Sequence, residues 1–142
     1  GSMTSTHSGN PICCAASIAS LKIIHNEKLV ENSARQGEIL QAAAQRIQKR
    51  FSDVILAAHG KGLVASLHCV KPGTNQPDDK LAWKVILKAV QSGVMLFGGV
   101  GFGGASVKVS PPLTITEDAL KEALEVLEAS FAAVIEEACA TK

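Results

Sequence analysis

The chain has 142 residues, 46% of them apolar and 19% charged, with a formal net charge of +1. That length suits one domain with a core of its own, and the balance of residues excludes a disordered chain. So small a net charge gives no case for nucleic acid or an anionic membrane as partner, and no stretch approaches the ~20 consecutive apolar residues that span a bilayer.

Gly1-Ser2 before Met3 reads as the scar of a removed tag, so residues 1–3 are set aside and one domain is expected over residues 4–142. Residues 4–10 are small and polar. Pro11 then opens an alanine-rich helix to about Asn26, with Asn10 placed as its N-cap and Pro11 at its first position. Ile12, Ala15, Ala16, Ala19 and Ile23 recur there at helical spacing. A second helix is predicted from about Lys28 to Arg50. Val30, Ala34, Gly37, Leu40, Ala44 and Ile47 mark one face of it, and Gln41, Gln45, Lys49 and Arg50 lie away from that face.

The period then changes to that of strands. Residues 54–58 and 63–70 each read as a strand, with His59-Gly60-Lys61-Gly62 as a turn or bulge between them. A loop through Pro77 leads to a helix capped by Asp78, carried by Leu81, Val85 and Ala89, and ended by Gly93. Residues 94–97 form a third short strand and residues 106–109 a fourth, stopped by Pro111-Pro112. Thr116 caps the last helix, whose buried stripe is Leu120, Leu124, Leu127, Phe131 and Val134. The order α-α-β-β-α-β-β-α predicts an α+β fold. It is a two-layer sandwich of a mainly antiparallel, three- or four-stranded sheet with helices on one face.

Three segments could carry chemistry. Residues 4–10 bring hydroxyls to a helix N-terminus, where free N–H groups and the positive dipole end favour a phosphate or carboxylate; simple capping by Asn10 is the alternative. Gly99-x-Gly101-x-x-Gly104 spells a dinucleotide fingerprint, but a strand with prolines follows it instead of a helix, so it reads as a strand-connecting loop. Lys108 could meet an anionic substrate group or be a solvated strand lysine. The four cysteines contain no C-x-x-C pair and the four histidines no ligand spacing, so no metal and no Cys/His or Ser/His nucleophile is expected. Reduced thiols in turn suggest the cytoplasm. No lysine sits where burial would prepare it for a Schiff base, so no catalytic residue is assigned.

Thr6-His7-Ser8-Gly9-Asn10-Pro11, with the alanine-rich helix behind it, resembles the T-x-S-G-(N/H)-P segment of class III aminotransferases. These are fold-type-I, pyridoxal-phosphate-dependent enzymes that include 4-aminobutyrate and ornithine aminotransferases. Gly60-Lys61-Gly62-Leu63-Val64 is similar to the family's R-G-x-G-L turn. The run from Val107 through Pro111-Pro112-Leu113 to Thr116 is similar to its (I/V)-(R/K)-x-x-P-P-L-x-I-(T/S) strand end. These motifs lie in family order across residues 4–135.

The resemblance implies the C-terminal small domain of such an enzyme, with the large, lysine-bearing cofactor domain missing and the chain inactive by itself. It implies that Thr6 contacts the cofactor phosphate in the partner subunit's site of a homodimer. Lys108 stands where several members clamp a substrate carboxylate with arginine, and a lysine keeps the charge but loses the bidentate fork. His59 replaces an arginine. The complete enzyme would hold pyridoxal phosphate and move an amino group from an amine or ω-amino acid to a 2-oxo acid; the chain alone is expected to hold none. The alternative is a stand-alone α+β interaction or regulatory domain derived from such a fragment. With its alanine-rich first helix and the partner domain missing, the isolated chain should expose apolar surface and self-associate.

Overall fold

The computed structural model describes Thr6 and residues 9–140. Helix α1 (Pro11–Asn26) starts where Asn10 accepts from Ile12 N at 3.0 Å and Cys13 N at 3.4 Å, with Pro11 filling the position that needs no donor. Lys28, in the left-handed region at φ 52°, turns the chain into helix α2 (Leu29–Arg50). Strands β1 (Ile55–Lys61) and β2 (Val64–Cys69) form a hairpin, helix α3 (Asp79–Gln91) follows, and β3 (Ser106–Val109) and α4 (Glu117–Ala140) close the chain.

The sheet has three strands in the order β1-β2-β3, antiparallel throughout. Ala65 faces Val109 and Leu67 faces Val107 on the buried side, onto which α2 and α3 pack. Helix α4 packs against both of these helices. The α+β architecture is the one expected, with the lower of the two strand counts.

The core is centred on Leu40, Ile47, Ile55, Leu67, Val107 and Phe131, none more than 1% exposed. Phe131 stacks on Phe51 with ring centroids 5.9 Å apart. All five stripe residues predicted for α4 are buried.

Four local expectations need correction. Val30 and Ala34 face solvent, because the first turns of α2 bury Leu29 and Gln36 instead. His59, Gly60 and Lys61 belong to β1, and the hairpin turns at Gly62-Leu63; the register irregularity lies between Ile55 and Ala57.

Gln41 does not point away. Its Nε2 donates to the carbonyls of Gly62 and Val64, both at 3.0 Å, while Ser33 Oγ accepts from Leu63 N. Gly37 lies between them in the helical row 33-37-41, and a Cβ there would stand 2.5 Å from Gly62 Cα. The hairpin tip is therefore clamped to α2 at a spot only glycine allows.

Residues 94–99 join no ladder, and the far edge of β3 is bonded only where Ser106 and Val100 exchange both backbone hydrogen bonds.

The apolar surface expected to be exposed lies on α1. Its apolar residues cover every side of the helix, and none is buried: Ile12 is 80%, Leu21 65% and Ile18 53% exposed. Its main packing partner among the described elements is α2. A helix that is apolar all round is ordinarily enclosed.

Candidate functional site

Two regions hold the residues singled out from the sequence. The first is the approach to α1. Thr6 is exposed in a turn, while His7 and Ser8 lie outside the described residues. The N–H groups of Ile12 and Cys13 are taken by Asn10 Oδ1, and that of Cys14 by the Asn10 carbonyl. Capping by Asn10 thus uses the helix-end donors that the anion-site argument needs. An anion here would have to be met by Thr6 and its neighbours, with the helix supplying field rather than hydrogen bonds.

The second region is the helix-free side of the sheet. Strand alternation sends Ser106 and Lys108 to this side, opposite His68 and Ser66. His68 Nδ1 and Ser106 Oγ are 3.0 Å apart, and Ser106 is 5% exposed. The glycine loop covers it closely: a Cβ on Gly101, which has φ +74°, would stand 2.7 Å from Ser106 Oγ. Glycine is needed here for both its backbone angle and its bareness. Lys108 is half-buried, makes no ion pair among the described residues, and holds its ammonium 5.8 Å from the Phe97 ring centroid.

Sequence reasoning missed the His68–Ser106 contact and the Phe97 ring. Alternation along residues 66–68 and 106–108 was the available signal for the first. Phe97 had none, since it arrives on a segment without regular structure. No hydrogen bond or ion pair joins Thr6 to Lys108.

The remaining titratable groups play other parts. Burial pushes the Cys69 thiol up to about 12, with the nearby Asp78 carboxylate adding to the shift, so it is a neutral core group and no nucleophile. Cys13, Cys14 and Cys139 are exposed and unpaired. Among the described residues no three His, Cys, Asp or Glu side chains converge on a metal position. Every described lysine is exposed or half-exposed. No helix described is long and apolar enough to cross a membrane.

The sequence matches the family described as Aminotransferase class-III over residues 1–131. It is 38% identical to an isoleucine 2-epimerase from Lentilactobacillus buchneri over 91% of this chain and 28% of that protein. It is 33% identical to the mitochondrial ornithine aminotransferase of Rattus norvegicus over 89% of this chain and 26% of that one. Among solved structures, acetylornithine aminotransferase from Elizabethkingia anophelis superposes with a TM-score of 0.78 at 27% identity, covering 94% of this chain and 31% of that one. The chain thus spans less than a third of the length of these proteins.

Proposed function

The chain belongs to the class III aminotransferase family, and from that membership we propose that it is the C-terminal small domain of a pyridoxal-phosphate-dependent aminotransferase. The observation that carries the reading is the family match along nearly the whole chain, set against less than a third of each relative's length. The large domain, a second subunit and the Schiff-base lysine would come from outside residues 4–142. The exposed apolar surface of α1 is where we place the large domain. The reaction assigned to the complete, cytoplasmic homodimer is transfer of an amino group from an amine or ω-amino acid to a 2-oxo acid.

Pyridoxal phosphate is the cofactor this membership implies, and the described residues fit one contact to it and not the whole group. Thr6 offers an exposed hydroxyl. The first helix-end N–H groups are engaged by Asn10, and no described lysine is buried, as a Schiff-base lysine would be. When bound, the cofactor supplies the electron sink of the chemistry. This chain's part would be to bind and orient: Thr6 would donate to the phosphate in the partner subunit's site, and Lys108 would hold a substrate carboxylate as a point charge, without the fork of an arginine.

The test compares the 142-residue chain alone with the same chain joined to a lysine-bearing large domain of the family. Cofactor retained after gel filtration is the readout. The joined protein should retain it and the chain alone should not. Thr6→Ala in the joined protein should weaken retention by about 1–3 kcal/mol, the range for hydrogen bonds to a charged group. Retention by the chain alone, abolished by a single Lys→Ala change, would overturn the reading.

A further inference from the structure

The outward side of the helix layer carries charges sorted by helix. In α3 the exposed row opposite the buried Ala82, Val85 and Ala89 is Lys80, Lys84, Leu87 and Gln91. In α4 the exposed row opposite Leu120, Leu124 and Leu127 is Asp118, Glu122, Glu125 and Ala129, and Glu136 continues it. The two helices pack side by side, with Lys88 Nζ 3.7 Å from Glu137 Oε1 at their seam. On the outward rows Lys80, Lys84, Glu122, Glu125 and Glu136 make no ion pair among the described residues. The charges that break the pattern lie off the rows: Lys121 is held by Glu117 at 2.6 Å, and Asp79 opens the first turn of α3.

A basic ridge beside an acidic ridge on one surface is self-complementary. A two-fold axis running between the ridges lays the basic ridge of each copy on the acidic ridge of the other, and the pair is closed. Apolar contact is available at the same place, because Trp83 is 56% and Leu87 46% exposed beside the two lysines. We propose that the outward face of α3 and α4 binds a second copy of this chain, with Lys80 and Lys84 of each copy opposite Glu122 and Glu125 of the other. Nucleic acid or an anionic membrane fits less well, since the acidic ridge adjoins the basic one and would repel either. This contact is separate from the α1 surface assigned to the large domain, and it does not rest on the cofactor reading.

Trp83 is the one tryptophan of the chain, so its fluorescence reports this face and not α1. As the concentration of the 142-residue chain is raised at low salt, its emission should move to shorter wavelength while sedimentation shows a dimer. Raising salt from about 0.01 M to about 0.15 M, which shortens the Debye length from about 30 Å to about 8 Å, should weaken that association at least about tenfold. Lys80→Glu with Lys84→Glu makes both ridges acidic, and Glu122→Lys with Glu125→Lys makes both basic at their centres. Each double variant changes exposed residues only, so it should fold as the parent chain does and lose the concentration-dependent shift. An equimolar mixture of the two should regain it, because every contact in the mixed pair again joins opposite charges.

A parent chain whose Trp83 emission does not change with concentration overturns the proposal, even if sedimentation shows association, which then runs through another surface. A shift kept by either double variant, or not regained by their mixture, overturns it as well.

Discussion

Helices α1 and α4 are both rich in alanine and large aliphatic residues, yet they end in opposite situations. Helix α4 buries Leu120, Leu124, Leu127, Phe131 and Val134 against its own domain, and α1 buries nothing. The difference lies in distribution more than in apolar content. The apolar residues of α4 form a stripe that one neighbouring surface can cover, whereas those of α1 surround the helix, and α2 alone cannot cover them. A domain can thus complete its own core and still carry an element whose burial depends on another body.

If that contrast is right, substitutions in the two regions should differ in size by design of the fold. The largest effect is expected at Phe131→Ala. The ring is fully buried and stacked on Phe51, so its loss should cost about 3–5 kcal/mol in chemical denaturation. Gly37→Ala comes next: the new methyl meets the Gly62 backbone, and prying the hairpin from α2 should cost about 1–3 kcal/mol by the same measurement.

Cys69 gives a pH signature of the same core. Its folded pKa lies above the ordinary 9, so the unfolded chain loses this proton first. Stability from this group is complete below pH 9 and declines as pH rises toward about 12, by about 1 kcal/mol between pH 9 and 10. Cys69→Ala should remove that slope.

On the domain surface, Glu128 is held below the ordinary carboxylate range by its hydrogen bond to Arg50, with burial opposing and Arg46 assisting. Its contribution is present at neutral pH and lost as pH falls through the carboxylate range. Because both arginines are more than half exposed, Glu128→Gln should cost no more than about 1 kcal/mol. The smallest effect is expected in α1, where Leu21→Gln should change stability by less than about 0.5 kcal/mol while reducing self-association in sedimentation. A cost for Leu21→Gln comparable with that of Phe131→Ala, in a chain that sediments as a monomer, would erase the distinction between the two helices.

Much of this was legible in the residues. The Asn10-Pro11 start of α1, the Asp78 cap of α3, the span of β3 and the α4 stripe all follow from local rules of capping and period. Gln41 was misread because a polar residue on a helix is assigned to solvent by default; only the hairpin's arrival made it a donor to two carbonyls. The expected anion site at α1 was open to two readings, and the cap geometry favours the plainer one for the helix-end donors. Lys108 was visible as a cation in a strand, but its place over the Phe97 ring, with no ion pair among the described residues, could not be read from spacing.

By itself, then, the order of residues determined the helices, two of the strands, their caps and the family. These depend on interactions within a few residues or on motifs fixed along the chain. Only the tertiary structure decided which apolar helix is covered, which glycine is a contact, and which lysine lies over a distant ring. Each of those depends on what a distant segment places opposite, and no local pattern encodes that distance.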